Sequence, residues 1–183
     1  MKIVVLNGSP DSRHYELDCY LAELEGLLEA RGHAVSSFEL RAMDIAHCTG
    51  CWGCWVKTPG ECVIRDDSQK VCRAAINSDL LLFASPVIMG FTSALLKKMT
   101  DRLIPLLHPY FEIAGGEVHH RKRYDSYPAL GLLLERTPDT DEEDLEIIRE
   151  IYTRMAVDFK SELRLTRMTG DPAEEAADAI GSL

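Results

Sequence analysis

Short apolar segments alternate along the chain with longer segments of helical periodicity, and this alternation constrains the fold more than any other feature. The apolar segments are typical of buried strands and occupy residues 2–6, 34–40, 79–84, 129–134 and 162–168. Between them, apolar residues mostly recur at three- and four-residue steps, as they do in amphipathic helices. Parallel strands need such helical crossovers, whereas antiparallel strands can be joined by a tight turn. The sequence therefore predicts an α/β fold with one doubly wound, five-stranded parallel sheet.

Length and charge narrow the range of functions. The 183 residues suit one domain, and the net charge of −10 argues against a nucleic-acid partner, which would need clustered positive charge. A short basic run at residues 119–123 is interpreted as a solvated loop, and contact with a cofactor phosphate or with an acidic surface of a neighbouring subunit stays open. The apolar runs fall short of the roughly 18 residues of a membrane helix, and the N-terminal run lacks a cleavage site. We therefore expect a cytoplasmic protein with no membrane partner.

The loop after the first strand is a candidate phosphate site. Ligands of doubly wound sheets bind beyond the carboxyl ends of the strands, and here a helix N-terminus with its free N–H groups follows directly. The loop lacks the glycine patterns of dinucleotide and nucleoside triphosphate sites, which favours a single phosphate. The candidate binding residues are Ser9, Asp11, Ser12, Arg13 and His14.

The segment after the third strand is a candidate site for a flat aromatic ring. It combines bulky apolar side chains, a glycine and hydroxyl groups in a loop predicted over residues 85–90. A second interpretation is a turn whose apolar residues only fill the core. The candidate ring-binding residues are Ser85, Pro86, Val87, Ile88, Met89 and Gly90.

Four of the six cysteines form the sharpest local pattern. Cys48, Cys51, Cys54 and Cys62 lie on one predicted loop, and four thiolates at such spacing suit a [4Fe–4S] cluster. Zinc fits less well, because structural zinc sites usually draw on two separated cysteine pairs. Reduced cysteines that only pack, or a redox-active dithiol, stay as alternatives. The other two, Cys19 and Cys72, are predicted to be small core residues within helices.

The order of these motifs resembles a known family. A strand followed by Asn-Gly-Ser-Pro, then the cysteine loop, Asp66-Asp67, the segment 85–90 and Asp101-Arg102 is similar to the flavodoxin-like NADPH-dependent FMN reductases, and to their iron–sulfur flavoprotein branch. The resemblance covers about residues 1–135. It implies strand order 2-1-3-4-5 and an FMN-binding domain over residues 1–170, with a tail and short helix over 171–183.

The resemblance also implies a site and an activity. The FMN phosphate would contact Ser9 and Ser12, and the isoalloxazine ring would lie against residues 86–90. NAD(P)H would be the electron donor, and a quinone, a flavin or a metal the small acceptor, with no catalytic side chain required. Relatives often form homodimers or homotetramers in which one subunit's long loop covers the other's flavin, a role suited to residues 108–127, which are predicted to be irregular.

One position departs from the family pattern. A Ser-Asn-Thr-like triplet usually ends the phosphate loop, and here Tyr15-Glu16-Leu17 stands in its place. The lost donors and the carboxylate of Glu16 predict weaker FMN binding. Two other functions therefore stay open: an electron carrier with a [4Fe–4S] cluster, and a flavodoxin-like interaction module without enzymatic activity.

Overall fold

The computed structural model describes residues 1–183, except for the side chain of Ser12, so the expected phosphate contact of that side chain lies outside the described part. The strands are β1 (Lys2–Asn7), β2 (Ala34–Glu39), β3 (Leu80–Ile88), β4 (Phe91–Thr92), β5 (Leu107–Ala114), β6 (Glu117–Lys122), β7 (Ala129–Glu135) and β8 (Leu163–Met168). The helices are α1 (Tyr15–Ala30), α2 (Gly53–Val56), α3 (Ser68–Ile76), α4 (Ala94–Asp101), α5 (Glu142–Asp158) and α6 (Ala173–Gly181).

The central sheet has the predicted order. Its parallel strands run β2-β1-β3-β7-β8, which is order 2-1-3-4-5 when only the parallel strands are counted. The α/β, flavodoxin-like prediction is therefore confirmed. The order reverses between β1 and β3, and in sheets of this kind the carboxyl ends of two such strands flank the crevice where ligands bind.

Helices cover both faces of the sheet. Along β1, Ile3 and Val5 face one layer whereas Val4 and Leu6 face the other, as the two-residue period of a strand requires. The first layer holds α1 and α6, and the second holds α3, α4 and α5. Each fully buried leucine contributes about 1.5–3 kcal/mol to the free energy of folding. Because β1 and β3 are buried on both faces, the loops at their ends start from firmly held strands.

The C-terminal helix belongs to this core. Small residues of α6 pack closely on α1, and the buried ones are Ala173, Ala176 and Ala177, together with Ile180. A segment expected as a tail therefore covers one face of the sheet.

The segment after the third strand differs from the prediction. The loop expected over residues 85–90 is strand as far as Ile88, because Pro86 still pairs with Glu135 of β7 and Val87 pairs with Thr92 of β4. The next helix, α4, ends at Asp101, and a single turn of 3₁₀ helix follows at Ile104–Leu106.

The segment 108–127 is not an irregular loop. It forms the antiparallel hairpin β5–β6, whose turn contains Gly115 and Gly116 at φ of 60° and 86°. The basic run 119–123 therefore lies mainly in β6, and His119 is buried. Glycine adopts these backbone angles without steric cost, so the two glycines indicate a turn. The flanking strands were not predicted, because charged residues interrupt their apolar pattern.

The two isolated cysteines also differ from the prediction. Cys19 lies on the exposed face of α1, so the interpretation as a core residue is wrong there. Cys72 of α3 packs against the core, and burial raises the pKa of its thiol to about 12.

Candidate functional site

The loops after β1 and β3 are fastened to each other at the crevice. The Gly8 N–H donates to the Ala84 carbonyl at 2.8 Å, and the Ser93 hydroxyl donates to the Gly8 carbonyl at 2.6 Å. The Ser85 hydroxyl oxygen accepts from the Ser93 N–H at 2.8 Å. These groups are buried, so each hydrogen bond fixes the backbone at the mouth of the crevice.

Gly8 leaves no space for a side chain. A Cβ atom there would lie 2.7 Å from the Leu96 Cβ and 3.0 Å from the Ala84 carbonyl oxygen. The first turn of α4 can therefore approach the β1 loop closely only because residue 8 is glycine.

The phosphate loop is folded on itself. Ser9 is fully buried: its N–H donates to the Asn7 Oδ1 at 2.9 Å and its hydroxyl to the Asp11 carbonyl at 3.2 Å. Asp11 accepts from the Arg13 N–H at 2.9 Å and from the Arg13 guanidinium at 2.6 Å. Hydrogen bonds from the Arg13 side chain and then its backbone lower the pKa of Asp11 to about 2.

Two further side chains of this region already contact acidic partners. His14 Nδ1 lies 2.6 Å from the Oε2 of Glu135, with both side chains largely buried. Arg41, which follows β2, contacts Asp18 at 3.0 Å and also pairs with Glu39. Arg13, His14 and Arg41 therefore each contact a carboxylate.

From helix α1, Asp18 and not Glu16 reaches the loop. Asp18 accepts from the Asn7 amide at 2.8 Å as well as from Arg41. Glu16 lies exposed in the first turn of α1, where a carboxylate stabilises the positive end of the helix dipole.

The candidate ring-binding residues divide into two groups. Ser85, Pro86 and Val87 are buried in β3, so they support the crevice from beneath. Ile88 and Met89 are exposed, and Met89 has φ of 51°, a left-handed conformation that non-glycine residues seldom adopt.

The loop between β7 and α5 contacts the ring-binding candidates from the other side. The Thr137 hydroxyl donates to the Val87 carbonyl at 2.9 Å. At Gly90, φ is 76° and an added Cβ would lie 2.6 Å from the Oδ1 of Asp144. The end of β7 and the start of α5 thus fix the turn that carries Met89.

The structure brings the four patterned cysteines together. Cys48, Cys51, Cys54 and Cys62 line one apolar cavity of about 160 Å³, with Ile104 among its other walls. Burial, and then the neighbouring Cys62 thiol, raise the pKa of Cys54.

The thiols differ in accessibility. Cys48 and Cys51 are exposed, whereas Cys54 and Cys62 are half-buried. The Gly53 N–H, followed by the Thr49 hydroxyl, lowers the pKa of Cys51. Among the described side chains, no three or more Cys, His, Asp or Glu groups lie close enough to hold a metal ion.

A buried ion pair lies beneath the cysteine segment. Arg102 Nη1 contacts the Asp66 Oδ2 at 2.8 Å, and both side chains are almost fully buried. Burial opposes the charged form of both groups. For Asp66, hydrogen bonds from Ser68, Ala46 and Arg102 outweigh burial and lower the pKa to about 2. For Arg102, hydrogen bonding to Asp66 outweighs burial, and the pKa is raised.

The hairpin β5–β6 is attached to the cysteine segment by aromatic rings. Trp52 stacks on Trp55 with centroids 5.0 Å apart, Trp55 lies 5.0 Å from the His120 ring, and His120 lies 4.9 Å from Phe111. The Trp55 indole N–H donates to the Leu107 carbonyl at 3.0 Å.

The hairpin exposes several apolar side chains among charged ones. Its exposed apolar side chains are Tyr110, Phe111, Ile113 and Val118. On its inner side, His119 Nδ1 lies 3.2 Å from Asp158 of α5, which fixes the hairpin to the domain. No helix within the described chain is long and apolar enough to cross a membrane.

Sequence reasoning missed several residues of this region. Asn7, Asp18, Arg41 and Ser93 organise the phosphate loop, and Asp66 with Arg102 supports the cysteine segment. Ser93 carried a local signal, since it caps α4 through its hydroxyl oxygen and the Leu96 N–H. Asn7, Asp66 and Arg102 belong to motifs that carry the family resemblance, but the sequence did not predict their contacts. Asp18 and Arg41 meet over a long sequence separation, which no local pattern reports.

Sequence comparison connects the chain with flavin-dependent reductases. The sequence model of the NADPH-dependent FMN reductases matches residues 1–122. An iron–sulfur flavoprotein of Archaeoglobus fulgidus is 38% identical over 113 residues, which cover 59% of this chain and 48% of that protein. One from Methanosarcina thermophila is 29% identical over 113 residues, covering 62% of this chain and 58% of that protein. The chain spans about half the length of the curated relatives it matches.

Solved structures share the fold. An azoreductase from Bacillus anthracis superposes with a TM-score of 0.71 at 12% identity, covering 100% of both chains. The NAD(P)H:quinone oxidoreductase from Methanothermobacter marburgensis superposes with a TM-score of 0.62 at 18% identity, covering 98% of this chain and 92% of that one. At these identities, the similarity shows the fold alone.

Proposed function

The chain belongs to the NADPH-dependent FMN reductase family, and from this premise we propose that it binds FMN and passes electrons from NAD(P)H to a small acceptor such as a quinone, a flavin or a metal ion. The observation that carries the proposal is the hydrogen-bonded arrangement of the loops after β1 and β3, which defines a crevice between them. It lies at the switch point of the sheet, where ligands of this architecture bind, and Gly8, Ser85 and Ser93 hold its shape.

The residues present fit a phosphate and a flat ring. The phosphate loop precedes the N-terminus of the 16-residue helix α1, whose dipole and first N–H groups favour an anion. Ile88, Met89 and Gly90 offer an apolar and partly exposed surface beside it. Bound FMN would supply the electron-transfer chemistry, since the flavin accepts electrons from a nicotinamide and gives them to an acceptor.

The chain's own contribution is binding and orientation. Thr137 and Asp144 fix the Met89 turn, and the hydroxyls of Ser85 and Ser93 fix the floor of the crevice. We assign no catalytic side chain. Arg13, His14 and Arg41 each already contact a carboxylate that competes with a phosphate, so we propose that FMN binds more weakly than in relatives with free donors.

A second candidate function rests on the cysteine cavity. Four cysteines line one apolar space, which suits a [4Fe–4S] cluster held by Cys48, Cys51, Cys54 and Cys62. The protein would then be an iron–sulfur flavoprotein that exchanges single electrons with a partner. The curated relatives named iron–sulfur flavoprotein favour this candidate.

The proposal extends to assembly and location. The exposed apolar side chains of the hairpin β5–β6 suit an interface between copies of this chain, so we propose a homodimer or homotetramer in which residues 108–127 cover the neighbour's flavin. The free cysteines suit the reducing cytoplasm, which we propose as its location.

The first test uses the protein purified without oxygen. A flavin spectrum that bleaches with NADPH supports the reductase, and added brown absorbance with bound iron and sulfide supports the iron–sulfur flavoprotein. A colourless protein that binds no added FMN contradicts both and favours a non-enzymatic interaction module.

A second test addresses the phosphate site. Titration with FMN and with riboflavin, which lacks the phosphate, should show tighter binding of FMN. The variant Ser9→Asp should weaken FMN binding by charge repulsion but leave riboflavin binding unchanged, and the riboflavin result controls for misfolding of this buried position. Equal affinities for both flavins in the unmodified protein would place the phosphate elsewhere.

A further inference from the structure

Arg102 is the largest fully buried side chain described, and its position is unusual for a cation. It follows the last turn of α4 and forms two contacts with the Asp66 carboxylate, at 2.8 and 3.1 Å. Removing both charges from water costs several kcal/mol per ion, which such a bidentate pair offsets only partly. A buried pair of this kind therefore points to a role besides stability.

The pair joins the two ends of the cysteine segment. Arg102 Nη1 donates to the Ala46 carbonyl at 2.6 Å, two residues before Cys48. Its Nη2 donates to the Ile64 carbonyl at 3.4 Å, two residues after Cys62. Asp66 also accepts from the Ala46 N–H at 3.0 Å. One guanidinium thus closes the segment that carries all four cysteines and fixes its ends against α4.

The guanidinium has one donor left. Among the described atoms, the buried Nε of Arg102 has no hydrogen-bond acceptor. Cys62 lies two residues before Ile64, whose carbonyl accepts from the guanidinium, and Cys62 is also a wall of the cysteine cavity. An unsatisfied buried N–H is costly, and a negatively charged sulfur at Cys62 would compensate this cost.

We propose that Arg102 is a positioning residue of the four-cysteine cavity: with Asp66 it holds the segment closed, and it offers its free donor and positive charge to the Cys62 sulfur when that sulfur is the thiolate ligand of an anionic iron–sulfur cluster. The proposal rests on the second candidate function above. Under this proposal, the positive charge of Arg102 offsets the negative charge of the Cys62 sulfur, whereas Cys48 and Cys51 are exposed to solvent.

A purely structural role of Arg102 has a different expected result. Arg102 would then hold the cysteine segment in place, and its replacement would leave the reduction potential of the cluster unchanged. Hydrogen bonds and positive charge beside a cluster sulfur raise the reduction potential, because they stabilise the more negative reduced state. The midpoint potential therefore separates a role toward Cys62 from a role in folding.

The experiment compares the unmodified protein with Arg102→Lys and Arg102→Gln after anaerobic reconstitution with iron and sulfide. Arg65→Gln is the matched control, since Arg65 belongs to the same segment but is exposed and pairs with Glu61. We expect Arg102→Gln to lose iron to a chelator roughly 10- to 100-fold faster. We also expect a more negative cluster potential with an unchanged flavin potential, and Arg102→Lys to restore part of the cluster potential. Arg65→Gln should match the unmodified protein.

A second measurement needs no cluster. Hydrogen exchange of the metal-free protein should be faster over residues 46–64 in both Arg102 variants, since neither side chain can hold both ends of the segment. If Arg102→Gln does not fold, Arg102→Lys supplies both readouts.

The outcomes distinguish the cluster function of the protein from the role of Arg102 toward Cys62. Unmodified protein without iron and sulfide overturns the cluster function and the role toward Cys62, and hydrogen exchange alone then decides whether Arg102 closes the segment. Protein that holds iron, but whose cluster potential and iron loss do not change in the Arg102 variants, overturns the present proposal and leaves the cluster function intact.

Discussion

His14 Nδ1 and Glu135 Oε2 lie 2.6 Å apart, although 121 residues separate them along the chain. Their side chains are only 17% and 12% exposed. His14 belongs to the loop after β1 and Glu135 ends β7, and these two strands flank β3 on opposite sides. The contact therefore spans the carboxyl end of β3, and it occupies a side chain that would otherwise be free to bind a phosphate.

Glu135→Gln should strengthen FMN binding. The change removes a negative charge from the crevice and releases His14, so we expect the FMN dissociation constant to fall by about fivefold, equivalent to roughly 1 kcal/mol. Riboflavin binding should not change. Fluorescence titration measures both constants, and Glu142→Gln, in an exposed pair with Arg136, is the control. Weaker FMN binding in Glu135→Gln would mean that the carboxylate orients His14 and does not compete for it.

Gly8→Ala should destabilise the fold. The added methyl would lie 2.7 Å from the Leu96 Cβ, and both atoms belong to well-packed elements, so we expect a loss of about 1–3 kcal/mol. Urea unfolding measures this loss. The control is Gly26→Ala in α1, where no atom lies within 4 Å of the new Cβ, and helix propensity predicts a gain of up to about 1 kcal/mol. Equal effects at the two positions would contradict the close packing at Gly8.

Asp66→Asn should destabilise the protein in a pH-dependent manner. At pH 7 the change leaves Arg102 buried without a countercharge, which typically costs about 3–5 kcal/mol. The pKa of Asp66 is lowered to about 2, so its charge stabilises the fold fully above the ordinary carboxyl range near 4, and this contribution is lost as the pH falls through about 2.

The difference in unfolding free energy between Asp66→Asn and the unmodified protein should therefore narrow between pH 4 and 2. Chemical denaturation at a series of pH values measures it. Asp67→Asn is the control, since the neighbouring Asp67 pairs with the exposed Lys70 and should change stability by less than about 1 kcal/mol. If the difference in unfolding free energy stayed constant down to pH 2, the charge of Asp66 would contribute nothing to the stability of the fold.

Ile113→Arg should disrupt self-association. Ile113 is 79% exposed at the end of β5, among the exposed apolar side chains of the hairpin, and a charge buried in an interface without a partner is costly. We expect the native mass from light scattering to fall to that of one chain, with the circular dichroism spectrum unchanged. Leu183→Arg, at a partly exposed position after α6, should leave the mass as it is. An unmodified protein that is already monomeric would refute the proposed interface.

Several features were predictable because they depend on short stretches of chain. Burial on both faces makes β1, β3 and β7 continuous apolar runs, and the helix periodicity between the strands requires crossovers, so the fold class and the number of parallel strands followed from the sequence. The resemblance to a family supplied the strand order. The position of the phosphate loop was predictable because a strand, a Gly-Ser-Pro turn and a helix follow one another directly. That its residues bind FMN stays a prediction.

Other features were decided by the tertiary structure. Sequence periodicity missed the hairpin β5–β6 because only its inner residues, such as His119, gain burial, and they do so against α5. Likewise, the pairing of His14 with Glu135 depends on two strands that lie on either side of a third. Arg102 meets residues 46 and 64 only after α4 packs beneath the cysteine segment. Local periodicity reports which face of an element is buried, whereas the partner of a buried charge depends on how distant elements pack.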